Sequence, residues 1–157
     1  MQKTPITKKG YQVLMDELEN IKKVERPKVI AAIEEARGHG DLSENAEYQY
    51  AKEKQSFMET RIQELETKLA TAEIIDTSKI PRDKVVFGSK FVVCNTETEE
   101  EMTYQIVGVD ESDISNGLIS IASPLAKALI GKKPGDTAVF KSPAGEKEYE
   151  VLKIIDE

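Results

Sequence analysis

The chain has 157 residues, of which 39% are hydrophobic and 32% charged, with a formal net charge of −7 and acidic residues in excess in both halves. That suits one ordinary domain or two small ones with much exposed polar surface, and it argues against a protein that grips a free phosphate backbone by counterion release. No apolar run approaches the roughly 18 residues of a membrane span, Met1-Gln2-Lys3-Thr4-Pro5 lacks the apolar core of a signal peptide, and the single cysteine, Cys94, has no partner for a disulfide or a zinc site; the expectation is a cytoplasmic protein.

From Lys8 to Ala72 the apolar spacing is helical. Thr7 is placed to cap the first helix, with Ile6 and Tyr11 at the two positions of a hydrophobic staple. Leu14, Leu18, Ile21, Ala32 and Ala36 form one stripe, and Ala46, Tyr50, Phe57, Leu65, Leu69 and Ala72 form a second. The turn signal His39-Gly40-Asp41-Leu42 lies between them. Folding there sets Leu14 near Leu69, Ile21 near Ile62 and Ala36 near Ala46, the antiparallel register of a long two-helix coiled-coil hairpin. Pro27 falls inside the first helix, where it removes a donor and bends the chain. The hairpin is expected over residues 1–76.

Residues 77–83 are polar and read as a linker. From 84 to 157 the texture is β-rich, with strands expected at 90–95, 102–109, 118–122, 137–141 and 147–155. Ser142-Pro143-Ala144-Gly145 is a tight connection, and 124–130 is a short amphipathic helix that opens on Pro124. The fold class is α+β, with a small antiparallel sheet and one short helix after the hairpin.

The chemistry concentrates at the hairpin turn. Asp41 and Glu44 stand three residues apart, which suits an N-cap and its capping-box partner on the second helix. The same spacing suits two outward carboxylates that share a hard cation such as Mg²⁺, with another molecule completing the octahedron. Tyr50 is on the stripe and reads as core, which leaves Tyr48 to brace the tip or stack on a base. His39, flanked by glycines, reads as a turn residue or a general base. Cys94 reads as a small buried apolar residue.

The run Ala36-Arg37-Gly38-His39-Gly40-Asp41-Leu42-Ser43-Glu44-Asn45-Ala46-Glu47-Tyr48 resembles the signature of the bacterial Gre transcript-cleavage factors. The likeness extends through Arg26-Pro27, Val29-Ile30-Ala31-Ala32-Ile33, Leu118-Ile119-Ser120 and Ser123-Pro124, and it favours the branch with the less basic hairpin. It implies a factor that is not an enzyme by itself. By that resemblance the hairpin is expected to enter the secondary channel of RNA polymerase, where Asp41 and Glu44 would help to hold a catalytic Mg²⁺ shared with the polymerase. The nascent RNA 3′ end, backtracked into the channel, is then cleaved by the polymerase. Arg37 and Lys52, the latter about three turns into the second helix, are candidates for contact with that RNA, as is Tyr48; Lys52 also reads as part of a solvated face. The β-rich half resembles an FKBP-like domain that docks at the channel rim. Ser123 and Pro124 are the docking candidates, with a helix cap as their plain reading. The factor is expected to act as a monomer.

Three rivals stand beside this reading. An inhibitory relative would block the channel without promoting cleavage, against which the intact acidic pair argues. A prolyl isomerase would need an aromatic-lined proline pocket, and the second half has no Trp. A coiled-coil adaptor leaves the acidic tip without a purpose.

Overall fold

A proline within a helix removes one N–H and drives its ring against the carbonyl four residues back. The structure, a computed structural model, describes residues 3–39 and 45–155 and shows how the first arm accommodates Pro27. Helix α1 (Lys8–Asn20) widens into a π turn at Ile21–Glu25, and α2 (Arg26–Arg37) restarts with the proline in its first turn. Arg26 N–H reaches back five residues to the Ile21 carbonyl. A π turn accommodates one residue more than an α turn, and the stripe beyond it changes in part, with Ala36 buried as its spacing requires. Val29 and Ile33 are buried, whereas Ala32, assigned to the stripe by its spacing, is exposed.

The second arm, α3 (Ala46–Thr71), buries Leu65 of its expected stripe but turns Ala46, Tyr50 and Phe57 outward. Its buried residues are Ala51, Met58, Ile62 and Leu65, while Tyr50 and Phe57 stand in solvent. Val29, Ile33, Ala51, Met58 and Ile62 make one cluster, flanked by Leu18, Ile21 and Tyr48. Ile21 therefore meets the cluster that contains Ile62, as the register required. The arms run antiparallel, with cross-arm bonds from Asn45–Ala36 at one end through Arg26–Glu59 to Arg61–Glu17. Both arginines grip their carboxylates with two nitrogens: Arg61 Nε and Nη2 lie 2.6 and 2.9 Å from Glu17, and Arg26 Nε and Nη2 lie 3.0 and 2.8 Å from Glu59. The hydrogen bonds from Arg61 hold the Glu17 carboxyl below its ordinary range.

The chain divides into two compact units, and the boundary differs from the expected 1–76 hairpin. Tyr11–Ala72 forms one unit, while Lys3–Gly10 groups with the chain from Glu73 onward. The reason is a strand that the helical pattern concealed. Residues Thr4–Thr7 (β1) pair with Ala72–Ile75 (β2) in a two-stranded sheet. Thr7 donates its N–H (3.1 Å) and its hydroxyl to the Glu111 carboxylate, which also accepts the Gly108 N–H at 2.8 Å. Thr7 Oγ1 in turn accepts from Gly10 N–H at 3.0 Å, the helix cap expected of it.

The other strands of this unit are β3 (Lys90–Asn95), β4 (Glu101–Val107), β5 (Leu118–Ser120), β6 (Thr137–Ser142) and β7 (Gly145–Ile155), with α4 (Pro124–Leu129) between β5 and β6. Residues 77–83, the expected linker, carry neither helix nor strand. The sheet order is β5-β4-β3-β7-β6. It is antiparallel except at one edge, where β5 runs parallel to β4, which corrects the all-antiparallel expectation. A short crossover through a 3₁₀ turn at Ile114–Asn116 returns the chain in the same direction. Gly117 ends that turn at φ 76°, and a β-carbon there would sit 2.5 Å from the Thr103 carbonyl oxygen, so glycine is required. The core gathers Val85, Phe91, Val93, Ile106, Ile119, Leu129 and Val151 beneath α4 and across the sheet. Phe91 meets Tyr104 edge to face at 6.5 Å. Cys94 is half-buried rather than fully enclosed, and burial raises its thiol pKa.

Candidate functional site at the end of the helical arms

An N-cap needs a short side chain whose oxygen meets the N–H groups of the first turn. At the start of α3 that residue is Asn45, with extended backbone at φ −86° and ψ 101°. Its Oδ1 accepts the Tyr48 N–H at 3.1 Å, while its Nδ2 donates to the Ala36 carbonyl on the other arm at 2.6 Å. One amide thus caps α3, satisfies a carbonyl at the end of α2 and ties the arms together. The cap assigned to Asp41 therefore belongs to Asn45, and the third helical position assigned to Glu44 belongs to Tyr48. The sequence carries this signal too, since Asn is as good a cap as Asp. Asp41, Glu44, Gly40 and Ser43 lie outside the described residues.

Around this clamp, Arg37 is the exposed last residue of α2, where a cation favours the helix dipole. Gly38 and His39 continue the turn, with N–H bonds of 3.1 Å to the Glu35 and Ala36 carbonyls, so His39 stands in a turn as expected. Lys52 is exposed and places its ammonium 3.2 Å from Gln55. Because α3 starts at Ala46, Lys52 is about two turns into the helix rather than three. The tyrosines are exchanged relative to expectation: Tyr48 packs against the seam, and Tyr50 is 69% exposed. Among the described residues no three His, Cys, Asp or Glu converge as metal ligands.

In the sheet unit, Ser123 is a helix cap. Its Oγ accepts the Ala126 N–H at 3.2 Å and donates to the Ser120 carbonyl at 2.7 Å, and Pro124 opens α4. Both residues also border an open, mainly apolar groove of about 620 Å³ that includes Ile114, Leu125 and Phe140. The Ser123 hydroxyl is committed within the fold, so Pro124 and its apolar neighbours are what this groove offers. Among the described residues no helix is long and apolar enough to cross a membrane.

Two arms joined at a clamped end, followed by a mixed five-stranded sheet, are covered by two family models. Residues 4–74 match the N-terminal domain of the GreA/GreB transcription elongation factors, and residues 80–156 match their C-terminal domain. The chain belongs to the GreA/GreB family of transcription elongation factors. It is 55% identical to transcription elongation factor GreA of Hyphomonas neptunium over 99% of each chain, and 57% identical to that of Pelobacter propionicus over 96% of this chain and 95% of the relative. Among solved structures it is similar to the GreA factor homolog 1 (Gfh1) protein of Thermus thermophilus, at 27% identity and a TM-score of 0.45 over 98% of this chain and 99% of that one.

Proposed function

We propose that this chain stimulates RNA polymerase to cleave its own backtracked transcript, with the helical arms inserted as a coiled-coil hairpin into the secondary channel. Asn45 carries this reading. It caps α3 and bonds the arms together, so Asp41 and Glu44 are not needed for the helix start and are left for chemistry. Their donor set fits a hard divalent cation, since Mg²⁺ is commonly held by one or two carboxylates with other ligands supplied from elsewhere. Asp41 and Glu44 would hold the ion jointly with the polymerase. When bound, a second metal ion activates the attacking water or stabilises the leaving oxygen of an in-line phosphodiester hydrolysis.

The chain's own residues position this chemistry. Asn45 fixes the base of the acidic segment, and Arg37 and Lys52 present cations to the extruded RNA. The sheet unit, FKBP-like in this reading, anchors the factor at the channel rim through the groove bordered by Pro124. Two carboxylates do not make a nuclease, so the chain is an accessory factor without hydrolytic activity of its own.

The test is RNA 3′-end cleavage in purified backtracked complexes with Asp41→Asn and Glu44→Gln. Loss of about 3 kcal/mol of transition-state stabilisation slows each variant roughly a hundredfold. Thermal melting and competition with wild type for polymerase stay unchanged. Normal cleavage by both amide variants would remove the carboxylates from the mechanism.

A further inference from the structure

Two aromatic rings stand out from α3 where the sequence pattern put core. Tyr50 is 69% exposed and Phe57 77%. They stand seven positions apart, so they share one stripe, about 10 Å apart along the axis. Lys54 lies between them, about one turn from each. From α2, Lys28 faces the same stripe, and Tyr50, Lys28 and Lys54 border a hollow of about 110 Å³ floored by Val29, Ala32 and Ala51. Neither lysine forms an ion pair among the described residues. On the other side of the Tyr50 ring, towards the start of α3, a second hollow carries Glu35 and Glu47 instead. The surface around Tyr50 is thus polarised, with cations on one side and carboxylates on the other.

We infer that Tyr50, Lys28 and Lys54 form a binding step for one nucleotide of single-stranded RNA, with the base stacked on the tyrosine ring and its phosphate between the two ammonium groups. Phe57 offers the next stacking face along the arm. Aromatic faces interleaved with cations are what single-stranded nucleic acid requires, because each base has a π-face and each linkage a negative charge. Glu35 and Glu47 repel phosphate, so the backbone runs on the lysine side of the ring. An apolar protein wall would cover the rings and leave both ammonium groups without counter-charge. The chain is acidic overall, so the step acts on a strand that a partner already holds. The inference rests on the proposed function, in which the arms lie beside extruded RNA.

The experiment uses backtracked polymerase complexes with 4-thiouridine near the RNA 3′ end, irradiated with the full-length factor. A crosslink is expected in the α3 peptide that contains Tyr50, and it disappears in Tyr50→Ala. In the same variant the factor concentration for half-maximal cleavage rises roughly five- to a hundredfold, the effect of one lost stacked base, while the maximal rate is kept. Tyr50→Phe behaves as wild type. Lys28→Gln with Lys54→Gln weakens the factor less and flattens its salt dependence. Helix content by circular dichroism stays the same in every variant, since these side chains are exposed. The inference is overturned if Tyr50→Ala matches wild type in crosslinking and in half-maximal concentration. It is also overturned if Tyr50→Ala weakens binding to RNA-free core polymerase by the same factor, which would make the ring a protein contact. If wild type crosslinks but stimulates no cleavage, the proposed function fails and the RNA step stands.

Discussion

In the sheet unit Phe91, Ile106, Leu129, Val85, Val93 and Val151 are wholly shielded from solvent, whereas Leu65 is the one described side chain of the arms shielded to that degree. The sheet unit buries apolar groups in a core several residues deep. The arms bury a seam one residue wide and line it with two-pronged Arg–Glu pairs that solvent still reaches. Depth makes the sheet unit cooperative, because each core residue touches others from several elements. A seam distributes stability along its length, so local changes stay local. A long arm held this way leaves most of its surface available for a partner.

Phe91→Ala makes the sharpest cut between the two behaviours. Removal of a fully buried aromatic costs about 3–5 kcal/mol, and amide exchange should accelerate across β3, β4 and β7 together while α3 keeps its protection. The counterpart, Ile62→Ala, should cost about 2–3 kcal/mol, because an open seam relaxes around the gap. Its effect should be confined to the neighbouring turns of both arms. Equal loss of protection in both units from either variant would break the contrast.

Asn45→Ala is expected to have a smaller effect, about 1–2 kcal/mol, for a lost cap and a cross-arm bond. Faster exchange should appear at the end of α2 and in the first turn of α3, with the rest of the seam unchanged. If protection fell along the whole of α3, the arms would be cooperative after all.

The smallest effect is acid sensitivity. Hydrogen bonds from Arg61 depress the Glu17 carboxyl in the folded chain. A depressed acid contributes stability that is fully present above the unfolded glutamate value, about 4.3. That contribution is lost as pH falls through the lowered folded value. The pair is more than a third exposed, so the contribution is small. Melting of the arms followed from pH 6 to 3 should show a slightly steeper acid decline for wild type than for Glu17→Gln. Superimposable curves would show that the pair is only geometric.

How much of this was legible in the sequence varied with the range of the forces involved. The two helical segments, the five strands of the larger sheet and the short helix at Pro124 follow from local periodicity and turn residues, and each stands close to its expected place. The face of each arm follows only in part. Beyond the π turn Val29 and Ile33 take the place of Ala32 while Ala36 keeps its own, and Tyr50 and Phe57, apolar by type, stand outside a seam that runs through Ala51, Met58 and the expected Leu65. The pairing of β1 with β2 was concealed because its partners are four residues each and lie at opposite ends of the helical region. The parallel edge strand β5 was missed for a related reason: direction depends on the crossover, which a three-residue strand does not announce. Within the candidate site the cap at Asn45 and the exposure of Tyr50 depend on how the arms pack, whereas Asp41 and Glu44 are conspicuous by chemistry alone.

The two hydrogen bonds of Asn45, donated to Ala36 on one arm and accepted from Tyr48 on its own, have a consequence for exchange between relatives. They make a socket. Gly38 and His39 close the end of α2, and the chain is brought back at Asn45 by an amide that belongs to the scaffold, so the start of α3 does not draw on the acidic residues before it. Segments transplanted between relatives that keep the asparagine should carry their own chemistry onto unchanged arms.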